Sequence, residues 1–501
     1  MPHQTWQNLF PTLGRLIEFK SAVALLVVGI LWAVQVDRAL AGPAESCDGP
    51  VARYDVRYRG DAVFEVRARF SRPSQKVELF HFPVPDRPEG QAASVFELKA
   101  FAQGGAPVSV RYAGEGAWVF GGSGAVDVRY ALRADHAGAD WGKGGPGKDE
   151  VADVFDDTYV FAGHAFFLQD WDLPRCAVDV RFDLPKGWTV TAPWPGKAGG
   201  FQIRDAWSLG QNMFAVGRAV PRRSQVGGLT LTWIYDQRLA EVLPTLETLL
   251  SDLPATYTDF WGGAPGDAYT VFLMTDAMSD GGAFRESFAM RLAVPLSKAD
   301  QLSWSHTLGH ELMHIWNNLG KGPKGNVPEL EWVNEGWTDY LTIKLRSRAG
   351  QLEPGMLEQR VANLIRRYRL SMASPVKGLA EAGANKQVNW QRVYGGGALA
   401  ALILDGELSQ KDPKAFAEAL QALKRDRGQG YSADTFMQAL DAHTDNKATE
   451  IVAWLDKKPS DAELIARLKR IGLDLSTFGP DEVYVRFSDC GSPGCVPAFL
   501  R

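Results

Sequence analysis

The spacing of hydrophobic residues along the chain changes near residue 236. Before that point, short stretches of alternating apolar and polar residues are separated by glycine, proline and aspartate, which is the pattern of many β-strands. Short strands between frequent turns are typical of a sandwich or of a large twisted sheet. We therefore expect an N-terminal β-sandwich-like domain over residues 48–235. Its predicted strands are Arg53–Tyr58, Ala62–Phe70, Lys76–Phe82, Val108–Tyr112, Val126–Leu132, Ala177–Leu184 and Leu229–Tyr235.

After residue 236 the apolar residues recur mainly at helical spacing, beginning with Leu239 and continuing through Leu253. One strand is expected at Ala268–Met274. We therefore expect a multidomain α+β protein, with an α/β domain over 236–350, a helical domain over 351–475 and a tail over 476–501. The predicted helices are Ser305–Leu319, Glu335–Ser347, Met356–Ser371, Gly397–Ser409, Pro413–Arg425, Ala433–Ala442 and Asp461–Ile471.

The N-terminus carries the layout of an export signal. Residues 21–36 are almost continuously apolar and follow Arg15 and Lys20, but they are shorter than the ~20 residues of a spanning helix. The small residues of Ala39-Leu40-Ala41 then suit a cleavage site. Residues 1–41 are therefore predicted to be a signal peptide that directs the chain to the periplasm or outside the cell. The alternatives are an uncleaved membrane anchor through residues 21–36, with the rest of the chain outside the cytoplasm, and a buried helix.

The cysteines leave several pairings open. Cys490 and Cys495 bracket a Gly-Ser-Pro-Gly turn that would bring their sulfurs together, and Cys47 and Cys176 would then pair or stay free. Two disulfides agree with an oxidising compartment, whereas four unpaired thiols are the alternative.

Composition excludes several classes of protein. The 501 residues are 45% hydrophobic and 23% charged, which is ordinary for a globular protein and excludes a disordered chain, a collagen and a coiled coil. The 54 basic and 59 acidic residues give a net charge of −5. Without a basic excess, nucleic acid is not an expected partner.

The strongest chemical signal is a His-Glu-x-x-His motif formed by His310, Glu311 and His314. On a helix the two histidines lie on one face, one turn apart, where they can share one zinc ion. Glu311 would reach the open side of the metal and take a proton from the attacking water, then pass it to the leaving amine. His306 lies one turn before His310 and is not expected to be a ligand. We therefore expect one Zn²⁺ per chain.

A third ligand is expected on the next helix. A catalytic zinc keeps one position open and so needs three protein ligands, and Glu335 supplies the third. Asp339 lies four residues later on the same face, where it can orient a zinc-binding histidine through the second ring nitrogen. For these two residues alone, the alternative is an acidic helix start that is favoured by the helix dipole.

These motifs resemble a known family. His-Glu-x-x-His followed by Asn-Glu-Gly at 334–336 is similar to the gluzincin metallopeptidases, and residues 310–317 most resemble the M61 glycyl aminopeptidases, relatives of the M1 aminopeptidases. Residues 156–167 and 184–188 resemble the β domain of that family. The resemblance covers roughly residues 50–440. It implies that the 236–350 domain is thermolysin-like and catalytic.

The resemblance also implies further site residues. The segment that begins at Tyr394 resembles the family's Tyr-x-x-Gly segment, in which the tyrosine donates a hydrogen bond to the oxyanion, and this role is carried to Tyr394. Gly281 and Gly282 match a Gly-Gly-x-Glu-His segment whose glutamate holds the substrate amine. Phe284 stands in place of that glutamate, and Glu286 lies two residues further on. The chain thus resembles a divergent member of the family, also without an evident PDZ domain after residue 440.

The function expected from the sequence is zinc-dependent hydrolysis of peptide bonds, by an aminopeptidase of the M61 type acting on a peptide substrate. Phe284 favours an alternative, a zinc endopeptidase. A third alternative is a catalytically silent envelope protein that only binds. Because Glu311 and Tyr394 are both retained, the sequence favours an enzyme.

Overall fold

The structure is a computed structural model, and it describes residues 47–83, 87–134, 151–197, 200–276, 279–296, 298–322, 325–428, 430–488 and 495–501. The predicted signal peptide over 1–41, and membrane attachment through residues 21–36, lie outside the described residues. Among the helices that the structure describes, none has the length and apolar character needed to cross a membrane.

The chain divides into two compact units, each made of several segments. The first unit contains Met1–Arg222, Thr232–Ala240 and Thr270–Leu296, and the second contains Arg223–Leu231, Glu241–Tyr269 and Ser297–Arg501. This division does not isolate a domain over 236–350, so the thermolysin-like domain stays a prediction.

Strands dominate the first unit, because its sequence alternates between core-facing and solvent-facing residues. In the first strand, Ala52, Tyr54 and Val56 are buried while the intervening side chains are partly exposed. The strands are β1 (Ala52–Gly60), β2 (Val63–Ser74), β3 (Lys76–Glu78), β4 (Val95–Phe101), β5 (Pro107–Val108), β6 (Val110–Gly114), β7 (Ala117–Phe120), β8 (Ala125–Arg133), β9 (Asp153–Phe155), β10 (Thr158–Ala162), β11 (Val178–Asp183), β12 (Thr189–Thr191), β13 (Gly196–Lys197), β14 (Gly200–Ile203) and β15 (Met213–Gly217).

These strands form sheets that share one aromatic core. The strand orders are β13-β14-β11-β1-β2-β8-β4-β5, β12-β15-β10-β9 and β3-β7-β6. In the largest sheet, β1 runs antiparallel to β2 and parallel to β11. Phe64 of this sheet meets Phe161 of the four-stranded sheet edge to face, with ring centroids 5.3 Å apart. The predicted sheet-rich N-terminal domain is confirmed. A short helix, α1 (Ala206–Gly210), precedes β15.

A further sheet follows in the sequence. Its strands are β16 (Arg222–Val226), β17 (Leu229–Tyr235), β18 (Ala268–Asp276), β19 (Asp280–Ala283) and β20 (Ser287–Ala293), in the order β16-β17-β18-β20-β19. β18 and β20 are parallel, and β19 runs antiparallel to β20. The sequence predicted β17 and β18 but not β20, whose residues before Ala293 are all buried and do not alternate.

Helices dominate the second unit, as expected for the C-terminal half. They are α2 (Leu243–Trp261), α3 (Lys298–Trp316), α4 (Thr338–Arg348), α5 (Pro354–Ser371), α6 (Leu379–Ala384), α7 (Lys386–Gln391), α8 (Gly397–Ser409), α9 (Ala415–Asp426), α10 (Ala433–Thr444), α11 (Lys447–Asp456) and α12 (Asp461–Lys469). The predicted C-terminal helical region and the α+β class are therefore confirmed.

Shorter elements complete the second unit. The hairpins are β21 (Lys321–Gly322) with β22 (Gly325–Asn326) and β23 (Leu473–Phe478) with β24 (Glu482–Phe487). The second hairpin takes up part of the predicted tail over 476–501. π-helical turns at Trp332–Trp337 and Arg392–Gly396 directly precede α4 and α8.

A disulfide joins the segment before β1 to the segment before β11. Cys47 bonds to Cys176, across a sequence separation of 129 residues. Cys495 is also disulfide-bonded, and Cys490 lies outside the described residues.

We expect Cys47→Ser to lower the free energy of unfolding of the first unit by about 2–5 kcal/mol, because the disulfide closes a long loop and restricts the unfolded chain. Thermal unfolding with and without a reductant measures this effect. The reductant should lower the melting temperature of the native chain and change the variant less. An unchanged melting temperature in Cys47→Ser would contradict the prediction.

Candidate metal centre

The His-Glu-x-x-His motif lies on helix α3, which is held in place by buried side chains. Leu308, Leu312 and Trp316 are completely buried on its inner side. The Tyr257 hydroxyl donates a hydrogen bond to the carbonyl oxygen of Gly309, at 3.0 Å, one residue before the motif. The opposite side of the helix is thereby free to present the histidines.

Three side chains converge in the geometry of a metal site. His310 Nε2 lies 3.1 Å from His314 Nε2 and 3.2 Å from Glu335 Oε2, and His314 Nε2 lies 3.6 Å from the same oxygen. Ligand atoms ~2.0–2.1 Å from a tetrahedral zinc are about 3.3 Å apart. The imidazole and carboxylate donors therefore fit a zinc ion in both type and spacing.

Two π-helical turns position the residues around this site. Glu335 lies in the turn Trp332–Trp337 and Tyr394 in the turn Arg392–Gly396. The sequence predicted that Glu335 starts an α-helix, whereas Glu335 lies inside the π-helical turn and the α-helix begins at Thr338. π-turns are rare and often occur at functional sites.

The two turns approach each other through glycines. A Cβ at Gly336 would lie 2.6 Å from Gly397 Cα, and a Cβ at Gly397 would collide with the Trp332 carbonyl oxygen. Only hydrogen atoms fit at these two positions, although glycine in a helix costs about 1 kcal/mol relative to alanine. The close approach fixes the segment of Glu335 against the segment of Tyr394.

Asp339 connects the histidines of α3. Its Oδ1 lies 3.3 Å from His310 Nδ1 and 2.7 Å from His306 Nε2, and its Oδ2 accepts a hydrogen bond of 2.8 Å from Arg367. The predicted contact between Asp339 and the second nitrogen of a candidate zinc ligand is therefore present in the structure. A carboxylate at this position sets the tautomer and orientation of the imidazole.

The surrounding carboxylates alter the protonation of two histidines. Burial disfavours charge on His310, but its hydrogen bonds to Asp339 and Glu335 outweigh burial and raise its pKa to about 10. For His306 burial prevails over Asp339 and lowers the pKa to about 4. Without a metal, His310 is therefore protonated at neutral pH and His306 is not.

Tyr394 and Glu311 border the same site. The ring of Tyr394 stacks on that of His310, with centroids 6.0 Å apart. Burial, followed by the charge of Glu335, raises the pKa of Tyr394 well above its ordinary value, so the hydroxyl keeps its proton. Glu311 is partly exposed, and its charge acts on both His310 and Tyr394.

The predicted substrate residues belong to the first unit, whereas the histidines and Glu335 belong to the second. Gly281 and Gly282 lie on β19, opposite residues of β20. Glu286 accepts a hydrogen bond of 2.5 Å from Asn212 and pairs with Arg285 at 2.8 Å. The carboxylate of Glu286 is thus already paired with residues of its own unit.

The sequence did not identify some residues of the site. Lys386 contacts Glu335 and Glu331, and Arg367 contacts Asp339. Lys386 lies 51 positions from Glu335, so no local spacing could have linked them. The sequence placed His306 one helical turn before His310 without giving it a role. The structure shows that His306 contacts Asp339, the same carboxylate that contacts His310.

We expect Gly397→Ala to destabilise the protein by about 1–3 kcal/mol, because the added methyl group forces two helical turns apart. It should also lower metal content, since Glu335 moves with its turn. Thermal unfolding and metal analysis by atomic emission measure both effects.

Gly355→Ala is the matched control, because no atom lies within 4 Å of the added carbon apart from the chain neighbours and the backbone of the same helix. It should be neutral or slightly stabilising. If Gly397→Ala behaves like this control, the glycine contact does not hold the site.

Comparisons with known proteins agree with this architecture. The family description of the M61 glycyl aminopeptidase matches residues 303–398, and that of the M61 N-terminal domain matches residues 54–209. Together they cover about half of the chain. Among proteins with curated descriptions, none matches the sequence significantly.

Solved structures share the fold at low sequence identity. An aminopeptidase N family protein from Idiomarina loihiensis has a TM-score of 0.69 at 17% identity, over 85% of this chain and 79% of its own. An M1 zinc metallopeptidase from Deinococcus radiodurans has a TM-score of 0.52 at 15% identity, over 85% and 98%. A variant of that enzyme bound to a Tyr-Ser-Ala substrate has a TM-score of 0.52 at 16% identity, with the same coverage.

At these identities the solved structures bear on the fold alone, whereas the family matches cover both the N-terminal sheets and the segment from α3 to the start of α8. The chain belongs to the M61 glycyl aminopeptidase family.

Proposed function

We propose that the protein is a zinc-dependent metallopeptidase that acts as an aminopeptidase of the M61 type on peptide substrates. The observation that carries this proposal is the convergence of His310, His314 and Glu335 at tetrahedral ligand spacing. Membership of a peptidase family supports the reaction class. One zinc ion held by these three residues would polarise the peptide carbonyl and activate a water molecule.

The chain's own residues supply the remaining steps. Glu311, next to His310 in sequence, takes a proton from the attacking water and gives it to the leaving amine nitrogen. Tyr394 keeps its proton and donates a hydrogen bond to the oxyanion of the tetrahedral intermediate. Asp339 holds the imidazole of His310 in the orientation that leaves Nε2 for the metal.

A specific observation favours a second candidate function, a zinc endopeptidase. Phe284 occupies the place of the amine-binding glutamate in the family's segment, and it packs against a buried cluster of the first unit. Glu286, the nearest carboxylate in that segment, is paired with Arg285. A silent binding protein is less well supported, because Glu311 and Tyr394 are both retained next to the histidines.

We also propose that the protein is exported to the periplasm or secreted, the membrane-anchored form being the alternative. The apolar segment and small residues before Gly42 support export. The Cys47–Cys176 disulfide supports an oxidising compartment.

We expect Glu311→Gln to retain zinc and lose turnover, because glutamine keeps the shape of the side chain but cannot accept the proton. Tyr394→Phe should retain zinc and lose roughly 10²–10³ in kcat, the value of one oxyanion donor. Zinc content is measured beside release of product from Gly-, Ala- and Leu-aminoacyl reporters. His314→Ala, which should lose the metal itself, is the control, and full activity in Glu311→Gln would exclude the mechanism.

The same assay separates the two candidate reactions. An aminopeptidase should release free amino acids from unblocked peptides and spare their N-acetylated forms. An endopeptidase should cleave both forms alike at internal bonds. Zinc without turnover on the whole panel would support the binding protein.

Zinc binding is expected to release about one proton from His310 at pH 7, because a metal ligand must be neutral. The sign follows from the raised pKa of about 10: the metal-free imidazole is protonated below that pH, so zinc affinity rises with pH. Calorimetric titration in buffers of different ionisation enthalpy counts the protons. Asp339→Asn removes one carboxylate that raises this pKa and should release fewer protons, whereas equal release from both proteins would contradict the assignment.

A further inference from the structure

Lys386 is a buried cation beside the candidate metal centre. Its side chain is only 7% exposed, at the first position of α7. Nζ lies 2.9 Å from Glu331 Oε2 and contacts Glu335 Oε1. A buried charge is costly unless it is paired and hydrogen-bonded, so the surrounding structure must favour this arrangement.

The contact divides the two oxygens of Glu335 between different partners. Oε1 faces Lys386, whereas Oε2 lies 3.2 Å from His310 Nε2 and 3.6 Å from His314 Nε2. Only one carboxylate oxygen is therefore turned toward the histidines. A carboxylate that offers one oxygen leaves a fourth position open on a tetrahedral metal.

Glu331 fixes Lys386 from the other side. It is buried four residues before Glu335, and it also accepts a hydrogen bond of 3.0 Å from Asn334. Lys386 thus bridges two carboxylates on successive helical turns and restrains the π-turn that carries Glu335. The pKa of Lys386 agrees with this pairing: burial would lower it, but Glu335 and Glu331 raise it above its ordinary value.

We propose that Lys386 is a positioning residue for the third metal ligand, holding Glu335 so that Oε2 alone faces the metal. This inference rests on the proposed zinc peptidase. Lys386 acts through Glu335, and it does not itself touch the metal or the reacting atoms.

The test compares two buried lysines of the second unit in the full chain. Lys386→Met removes the contact with Glu335. Lys344→Met is the matched control, because Lys344 is 6% exposed and likewise pairs with a buried carboxylate, that of Asp405, to which Tyr340 also donates a hydrogen bond. Lys386→Met removes the ammonium partner of Glu331 and Glu335, and Lys344→Met removes that of Asp405, so both variants should lower the melting temperature. Of these three carboxylates, Glu335 is the one that faces the histidines.

The deciding measurement is the dissociation constant for zinc, obtained by competition with a chelator. Lys386→Met should weaken zinc binding by about 10–100-fold, the usual effect of losing a group that orients a ligand. Lys344→Met should stay within about threefold of the native chain, as expected for a residue outside the ligand shell. The visible spectrum of the cobalt-substituted protein should change in Lys386→Met alone, because it reports ligand geometry.

The outcomes separate this inference from the proposed function. If the native chain binds zinc and cleaves peptides while both lysine variants retain its zinc affinity, the positioning role is wrong and the peptidase stands. If the native chain binds no zinc, the proposed function itself fails. Should Lys386→Met not fold, Glu331→Gln replaces it: weaker zinc binding by a few-fold supports the role of Lys386, and native affinity overturns it.

Discussion

The close approach of two helical backbones is the constraint on which the candidate site depends. Where Gly336 meets Gly397, no side chain separates the turn that carries Glu335 from the turn that carries Tyr394. Both segments are π-helical, which shifts the register of the side chains relative to a regular α-helix. The position of Glu335 relative to Tyr394 is therefore set by backbone contact, which is stiffer than contact between flexible side chains.

The charged side chains around His310 form a network of paired carboxylates and cations. The carboxylates of Asp339 and Glu335 contact the two ring nitrogens of His310. In the absence of a metal they raise its pKa, so the ring is protonated at neutral pH. Lys386 and Arg367 each take one oxygen of these carboxylates. A zinc ion held by His310, His314 and Glu335 would require a neutral His310, and Lys386 and Arg367 would neutralise part of the charge of the two carboxylates.

The sequence could predict those parts of the site whose chemistry is local. The spacing of His310 and His314 is a property of one helix, and Asp339 follows Glu335 by one turn, so both pairs are visible in the sequence. Lys386 comes from a distant segment that only tertiary packing brings to Glu335. Likewise, alternation identified the half-exposed strands of the N-terminal sheets, but β20 is buried on both faces and carries no alternation.

The metal centre does not determine whether cleavage starts at a peptide's N-terminus, because exo- and endopeptidases share the same hydrolytic step. That choice depends on a group that binds the substrate's ammonium. Phe284 carries no charged or hydrogen-bonding group for this role, and its ring stacks on His164 and packs against a buried cluster. The Glu286 carboxylate, 37% exposed, is already paired with Arg285 and hydrogen-bonded to Asn212. Its negative charge is therefore partly neutralised within the first unit.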